Sequence, residues 1–284
     1  MYEIKNKKSL NPTVTQMDIY APDVARKALA GQFIILRAHK DGERIPLTIA
    51  DYNRQAGTVT IIFQIVGATT HLLNQLSVGD CLADFAGPLG KPSHLDGLKK
   101  VAVIGGGVGC AIALPVAKQL KENGAQVHSI VGFRSHDLLI LEDEFKAVSE
   151  KYFVMTDDGS YGEKGLVTNK LKELLDNGEQ YDEVIAIGPL VMMKFVCLTT
   201  KEYGVKTIVS MNPVMIDGTG MCGGCRLTVD GQTKFACVDG PEFDGHLVDF
   251  DNAMSRGALY KEQERHAYEK TCNLFNATLQ NERK

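Results

Sequence analysis

Through the first third of the chain, apolar positions recur at every second residue, and then the rhythm changes. The segments TVTQMDIY (13–20), GQFIILRA (31–38), RIPLTIAD (44–51), GTVTIIFQIVG (57–67) and DCLADFAGP (80–88) are β-branched or alternating, with Gly or Asp-Gly between them. That spacing predicts a small antiparallel β-barrel. One stretch, ATTHLLNQLSVG, has helical character, and LGKPSHLDGLKK (89–100) reads as a linker. From 101 onward strands and helices alternate: VAVIGG then VGCAIALPVAKQLKENG, QVHSIVGF then LLILEDEFKAVSE, YFVMTDD then KGLVTNKLKELLDNG, DEVIAIG then PLVMMKFVCLTTKEYG, and KTIVS to close. Such alternation predicts a doubly wound parallel sheet. Pro115 is expected to kink the first of these helices or to mark a late start. RLTV and TKFACV flank Asp230-Gly231 and predict a hairpin, and RGALYKEQERHAYEKT predicts an exposed charged helix. The predicted order is a β-barrel over 1–96, an α/β domain over 97–210, and a cysteine loop, hairpin and tail over 211–284.

Length supports that division, since 284 residues at about 150 per domain give two domains with their own cores. A composition of 44% apolar and 23% charged residues is that of a globular protein, and a net charge of −4 gives no reason to expect nucleic acid or an anionic membrane as partner. No apolar run approaches the ~18 residues of a membrane span, and MYEIKNKKSL lacks the apolar core of a signal peptide. Seven cysteines, three of them clustered, fit metal ligation in a reducing compartment better than a disulfide framework. The expected location is the cytoplasm. The histidines are scattered, and no Ser-His-Asp or paired-carboxylate system is evident, so no catalytic residue is assigned.

Two stretches carry candidate chemistry. In VAVIGGGVGCA, Gly105, Gly106, Gly107 and Gly109 follow an apolar strand and open a helix, where backbone amides favour a pyrophosphate. Position 110 is Cys where the strict dinucleotide fingerprint has Gly or Ala, so a Gly-rich turn without ligand stays open. After the second strand, VGFRSHD has no acid directly at the strand end, while Arg134 and Ser135 suit a 2′-phosphate or plain solvent; NAD and NADP both remain open. Two further strand ends, TDDGSYGEKG with Asp157, Asp158 and Ser160, and IGPLVMMK with Gly188 and Pro189, lie where doubly wound sheets bind ligands. Solvated loop is the competing reading for Asp157, Asp158 and Ser160, and helix core is that for Met192 and Met193, at least one of which is expected in the core. In MIDGTGMCGGCRLTVDGQTKFACVDG, Cys222, Cys225 and Cys237 form a C-x2-C plus one distant cysteine, one donor short of a four-coordinate site. Thiolates favour iron–sulfur or zinc, and spacing alone does not choose between them.

The order of RIPLT, VGATT and GGGVG resembles the ferredoxin–NADP reductase type of flavoprotein, and the cysteine loop extends the likeness to the electron-transfer subunit of dihydroorotate dehydrogenase. The resemblance implies FAD held by Arg44, Pro46, Leu47 and Thr48 of the first motif and by Val66, Gly67 and Thr70 of the second. Taken alone, RIPLT reads as an ordinary barrel strand. The resemblance also implies a [2Fe–2S] cluster on Cys222, Cys225 and Cys237. The family's first cysteine, five residues before Cys222, is here Asp217, and a carboxylate there implies a fourth ligand to iron. A turn role for Asp217 and a Cys3Asp zinc site are the alternatives. With Asp in that place the chain resembles the small subunit of NADH-dependent reduced ferredoxin:NADP oxidoreductases, also described as a sulfide dehydrogenase subunit. That likeness implies NAD(H) as the nucleotide, with NADP(H) possible. It further implies a larger partner flavoprotein carrying FAD and [4Fe–4S] clusters, ferredoxin as a partner of the complex, and electron bifurcation.

Overall fold

A computed structural model describes residues 2–282, with side chains described for residues 2–271. The first seven strands are β1 (Tyr2–Asn11), β2 (Val14–Tyr20), β3 (Phe33–Arg37), β4 (Arg44–Asn53), β5 (Thr58–Gln64), β6 (Cys81–Leu82) and β7 (Asp84–Leu89). They form one antiparallel sheet in the order β6-β1-β2-β5-β4-β3-β7, curled around a core of Ile4, Met17, Ile19, Ile34, Leu36, Ile49, Ile61, Phe63 and Phe85. Helix α1 (Pro22–Lys27), with Pro at its first position, and helix α2 (Ala68–Gln75) interrupt the strands. The alternation of β5 places Val59, Ile61 and Phe63 inside the barrel. On its opposite face, Ile62 joins the core of the sheet that follows.

The second sheet follows from β8 (Lys100–Gly106), α3 (Cys110–Glu122), β9 (Gln126–Phe133), α4 (Glu142–Val148), β10 (Lys151–Thr156), β11 (Glu163–Lys164), α5 (Val167–Asp176), β12 (Glu183–Ile187), α6 (Leu190–Glu202) and β13 (Thr207–Ser210). Beyond it come β14 (Arg226–Val229), β15 (Gln232–Phe235), α7 (Ala236–Asp239), β16 (Glu242–Asp244), α8 (Phe250–Gly257) and α9 (Lys261–Glu282). Strand order is β11-β10-β9-β8-β12-β13-β16. Chain direction is parallel throughout except at β16, which joins β13 antiparallel, so the sheet is mixed at one edge. The chain winds outward from β8 in one direction and resumes on its other side at β12; this reversal opens a crevice at the carboxyl ends of β8 and β12.

Three local expectations change, and a fourth holds. Helix α3 starts five residues before Pro115, so that proline marks no late start. The hairpin β14–β15 turns at Asp230-Gly231, but Ala236 and Cys237 lie in the short helix α7 rather than in a strand. The expected linker 89–100 is pinned, with the Lys91 amide bonded to Gly240 O, the Ser93 amide to Ala30 O, and Leu95 buried. The charged tail is helical and largely exposed, and it returns to the barrel, where the Tyr268 ring meets His71 of α2 edge-on at 6.0 Å between centroids. Residues 283–284 of that predicted segment lie outside the described residues.

Candidate functional site

Strand β3 is buried on both sides and organises everything that follows. Ile34 and Leu36 point into the barrel, while Phe33 and Ile35 belong to the core shared by the sheet and the cysteine segment. In the register with β4, Ile35 stands opposite Pro46 and Phe33 opposite Thr48. Directly opposed residues share a face, so Arg44, Pro46 and Thr48 line the outer face of the barrel. Leu47, expected among them, packs on the barrel core instead, which leaves only its backbone to the outer side. Arg44 is exposed, with its guanidinium 3.9 Å from Asp84.

In the second motif the Thr70 hydroxyl accepts the amides of Val66 (3.0 Å) and Gly67 (3.1 Å) and donates to Gly67 O (3.0 Å). Thr70 therefore shapes the turn into α2. The following amides of Ala68, Thr69 and Thr70 belong to the first helical turn and have no intrahelical acceptor. Val66 is exposed, and the space beside Gly67 is open. Arg44 and these amides are the groups here suited to a diphosphate.

At the crevice, β8 passes through Gly105 and Gly106 into the turn Gly107–Gly109. A side chain at Gly106 would displace the end of Met192 and press on Pro189, and Gly109 sits on the backbone of Ile187 and Gly188. Gly107 has φ +55° and nothing within 4 Å of where a Cβ would stand, so its backbone faces open space. That arrangement lets a pyrophosphate approach the amides before α3. Met192 is a contact that sequence reasoning left undivided from Met193: Met193 is fully buried, while Met192 wedges between the two glycine turns.

The loop after β10 is tied to the loop after β9. The Asp157 amide bonds to Phe133 O (3.1 Å) and the Asp158 amide to Arg134 O (3.2 Å). One Asp158 carboxylate oxygen accepts both the amide (2.9 Å) and hydroxyl (2.6 Å) of Ser160, whose own oxygen accepts the His136 amide at 2.8 Å. The Ser160 hydroxyl, above all, holds the Asp158 carboxyl below its usual range. Asp158 and Ser160 thus build the loop, and Asp157 remains exposed at the strand end.

The cysteine loop lies on the outer face of β3. A side chain at Gly218 would meet Leu89 and Ile35 at 2.7 and 2.8 Å, so the backbone rests directly on the barrel. Four donor residues fall into two pairs. Cys225 and Cys237, both buried, have sulfurs 3.2 Å apart. Asp217 accepts the amides of Thr219 (2.9 Å) and Cys222 (2.8 Å), and these, with the Cys222 thiol nearby, hold its carboxyl below the ordinary range. Burial, with the Cys225 thiol beside it, pushes Cys237 up to about 12, so thiolate there needs a strongly positive centre. The Gly224 amide approaches the Cys222 sulfur at 3.5 Å, and the Gly220 amide lies near Cys237. Among the described residues no three His, Cys, Asp or Glu side chains already converge on one point. Zinc takes four donors around one centre, whereas a two-iron cluster takes two per iron, so paired donors with amides at sulfur fit the cluster better.

The comparisons agree with this geometry. The family described as the iron–sulfur cluster binding domain of dihydroorotate dehydrogenase B matches residues 212–249, and the oxidoreductase NAD-binding domain matches residues 103–198. A Thermotoga maritima protein named as a homolog of the dihydroorotate dehydrogenase B (NAD(+)) electron transfer subunit is 47% identical over 268 residues, covering 94% of this chain and 94% of its own. The electron transfer subunit of Streptococcus mutans is 34% identical, covering 86% of this chain and 96% of its own. A solved chain from the NADH-dependent reduced ferredoxin-NADP oxidoreductase, studied for flavin-based electron bifurcation, superposes with a TM-score of 0.90 at 46% identity, over 95% of this chain and 97% of that one. With a barrel, a nucleotide crevice and a cysteine loop in one order along one chain, this oxidoreductase subunit belongs to the family of dihydroorotate dehydrogenase B electron transfer subunits.

Proposed function

We propose that the chain is the smaller electron-transfer subunit of a cytoplasmic, bifurcating NADH-dependent ferredoxin:NADP oxidoreductase, with a larger flavo-iron–sulfur partner carrying FAD and [4Fe–4S] clusters that deals with ferredoxin. Bound to this chain, FAD supplies hydride exchange with NAD(H) and single-electron exchange with a [2Fe–2S] cluster. Arg44 and the first amides of α2 hold the FAD diphosphate, and Thr48 offers a hydroxyl on the outer face of β4. Gly105, Gly106, Gly107 and Gly109, with Gly188 and Pro189 opposite, admit the nucleotide pyrophosphate, and Asp157 stands at the strand end beside them. Asp217 and Cys222 hold one iron, and Cys225 and Cys237 the other. The observation that carries the proposal is the seating of Gly218 on Ile35, the residue paired with Pro46, which sets cluster loop and flavin strand side by side. The names of the relatives favour a second reading, service to a dihydroorotate dehydrogenase; Asp217, standing where the four-cysteine pattern that the loop resembles places its first cysteine, speaks against it.

An absorption spectrum with metal analysis tests the assignment. The purified chain is expected to show flavin bands over iron–sulfur absorbance, two irons per chain, and bleaching by NADH. A colourless protein with one zinc per chain would mean a nucleotide-binding module with a structural metal.

A further inference from the structure

Three parts of the molecule meet at one carboxyl group that the electron path does not use. Glu242 opens β16, opposite Ser210 of β13, five residues beyond Cys237. Its Oε1 accepts the Ser93 hydroxyl at 2.6 Å. Ser93 belongs to the connection between barrel and sheet, and its amide bonds Ala30 O of the barrel at 2.9 Å. The Lys91 amide bonds Gly240 O (2.7 Å), the Met211 amide bonds Pro241 O (2.9 Å), and the Gln32 side chain bonds Gly90 O (2.9 Å). Residues 90–93 and 240–242 thus run together as one seam joining the barrel to the end of the cysteine segment.

The charge around this carboxyl is unusual. The charged groups that bear on it are Glu183 of β12, only 2% exposed, and behind it Lys206, whose ammonium lies 2.5 Å from the Glu183 carboxylate. The barrel turn contributes Gly31 and Gln32, and the connection contributes Ser93, all uncharged. Among the described residues no cation pairs with Glu242 itself, and the charge of a second acid bears on it. A half-buried carboxyl in that setting, beside a second acid, is more stable with its own proton than without it.

We propose that Glu242 is a proton-operated clasp: protonated, it seals the seam between barrel, connection and cysteine segment, and ionised, it loosens that seam. Burial first and the Glu183 charge second raise its titration to about 7, against the opposing Ser93 hydrogen bond. The sign follows from linkage. A carboxyl whose folded value is raised contributes stability that is full below its unfolded value and is lost as pH rises through about 7. Seating of the cysteine segment on the barrel is therefore firmest on the acid side of neutrality. The clasp rests on side chains of this chain alone and is independent of which cofactors it binds.

Hydrogen exchange of the full, cofactor-loaded chain tests it, with rates corrected for the intrinsic effect of pH. Between pH 6 and pH 8.5, amides of 90–95 and 240–244 are expected to lose roughly tenfold in protection, while β9 keeps its own. Glu242→Gln should keep these amides protected at both pH values. Ser93→Ala, which removes the bond favouring the ionised form, should move the loss to higher pH. Constant protection in the unmodified chain would overturn the clasp, as would an equal loss in Glu242→Gln, a Glu242→Gln chain that fails to fold at pH 6, or a Ser93→Ala profile that does not move.

Discussion

In the proposed ligand set Asp217 is the one oxygen donor, the residue on which the electronic character of the cluster turns. Its carboxylate is already oriented by two amides, so its remaining oxygen lone pairs are directed without further ordering of the loop. Oxygen is a harder, less covalent donor to iron than sulfur. Asp217→Cys is expected to retain a two-iron cluster with an altered EPR signal and potential. Asp217→Ala should leave one iron open to water and make the cluster labile, visible as iron loss during gel filtration. EPR spectra identical to that of the unmodified chain in both variants would reduce Asp217 to a turn residue. The three cysteines were legible from spacing, and Asp217 only through its place relative to them. The pairing of donors was not legible, because it depends on how α7 folds Cys237 back onto Cys225.

Among the elements, the turn from β8 to α3 is the most constrained. Gly107 holds a left-handed φ and faces open space, so a side chain there would be strained and would also project where a nucleotide approaches. Gly107→Val is expected to cost about 1–2 kcal/mol of stability and to suppress flavin reduction by NADH, with dithionite reduction unchanged in stopped-flow traces. Undiminished NADH oxidation would make the turn purely structural. Most elements were readable because each has a buried face with a clean period, as β5 and α5 do. Strand β1 was not, since Ile4 is its one buried residue and Lys, Asn and Ser make up most of the rest. Strand β16, with three residues, has no period to read, and it joins the sheet only because the edge of β13 is free to pair. The loops after β9 and β10 looked like independent candidates; hydrogen bonding between them makes Asp158 and Ser160 part of the scaffold.

At the scale of the molecule, the contact of the cysteine loop with the barrel decides how the parts work together. Gly218→Ala would press a methyl group into Ile35 and Leu89 at a backbone angle, φ +74°, that side chains rarely adopt. The loop is expected to lift away, leaving flavin and iron contents intact while slowing cluster reduction after mixing with NADH. An unchanged rate would remove the contact from the path. The order of barrel, sheet and cysteine loop was evident from the changing rhythm of the chain, but their mutual placement was not, because residues on β3 serve two cores and their pattern looks merely apolar. The consequence of that double burial is mechanical. A swing of the barrel away from the sheet would bring Phe33 and Ile35 into water, at roughly 1.5–3 kcal/mol for each side chain. No easy hinge therefore runs through the subunit. The span between β4 and the cysteine loop is thereby set by one strand of the fold, so even with the Glu242 seam loosened β3 still holds the two at their distance.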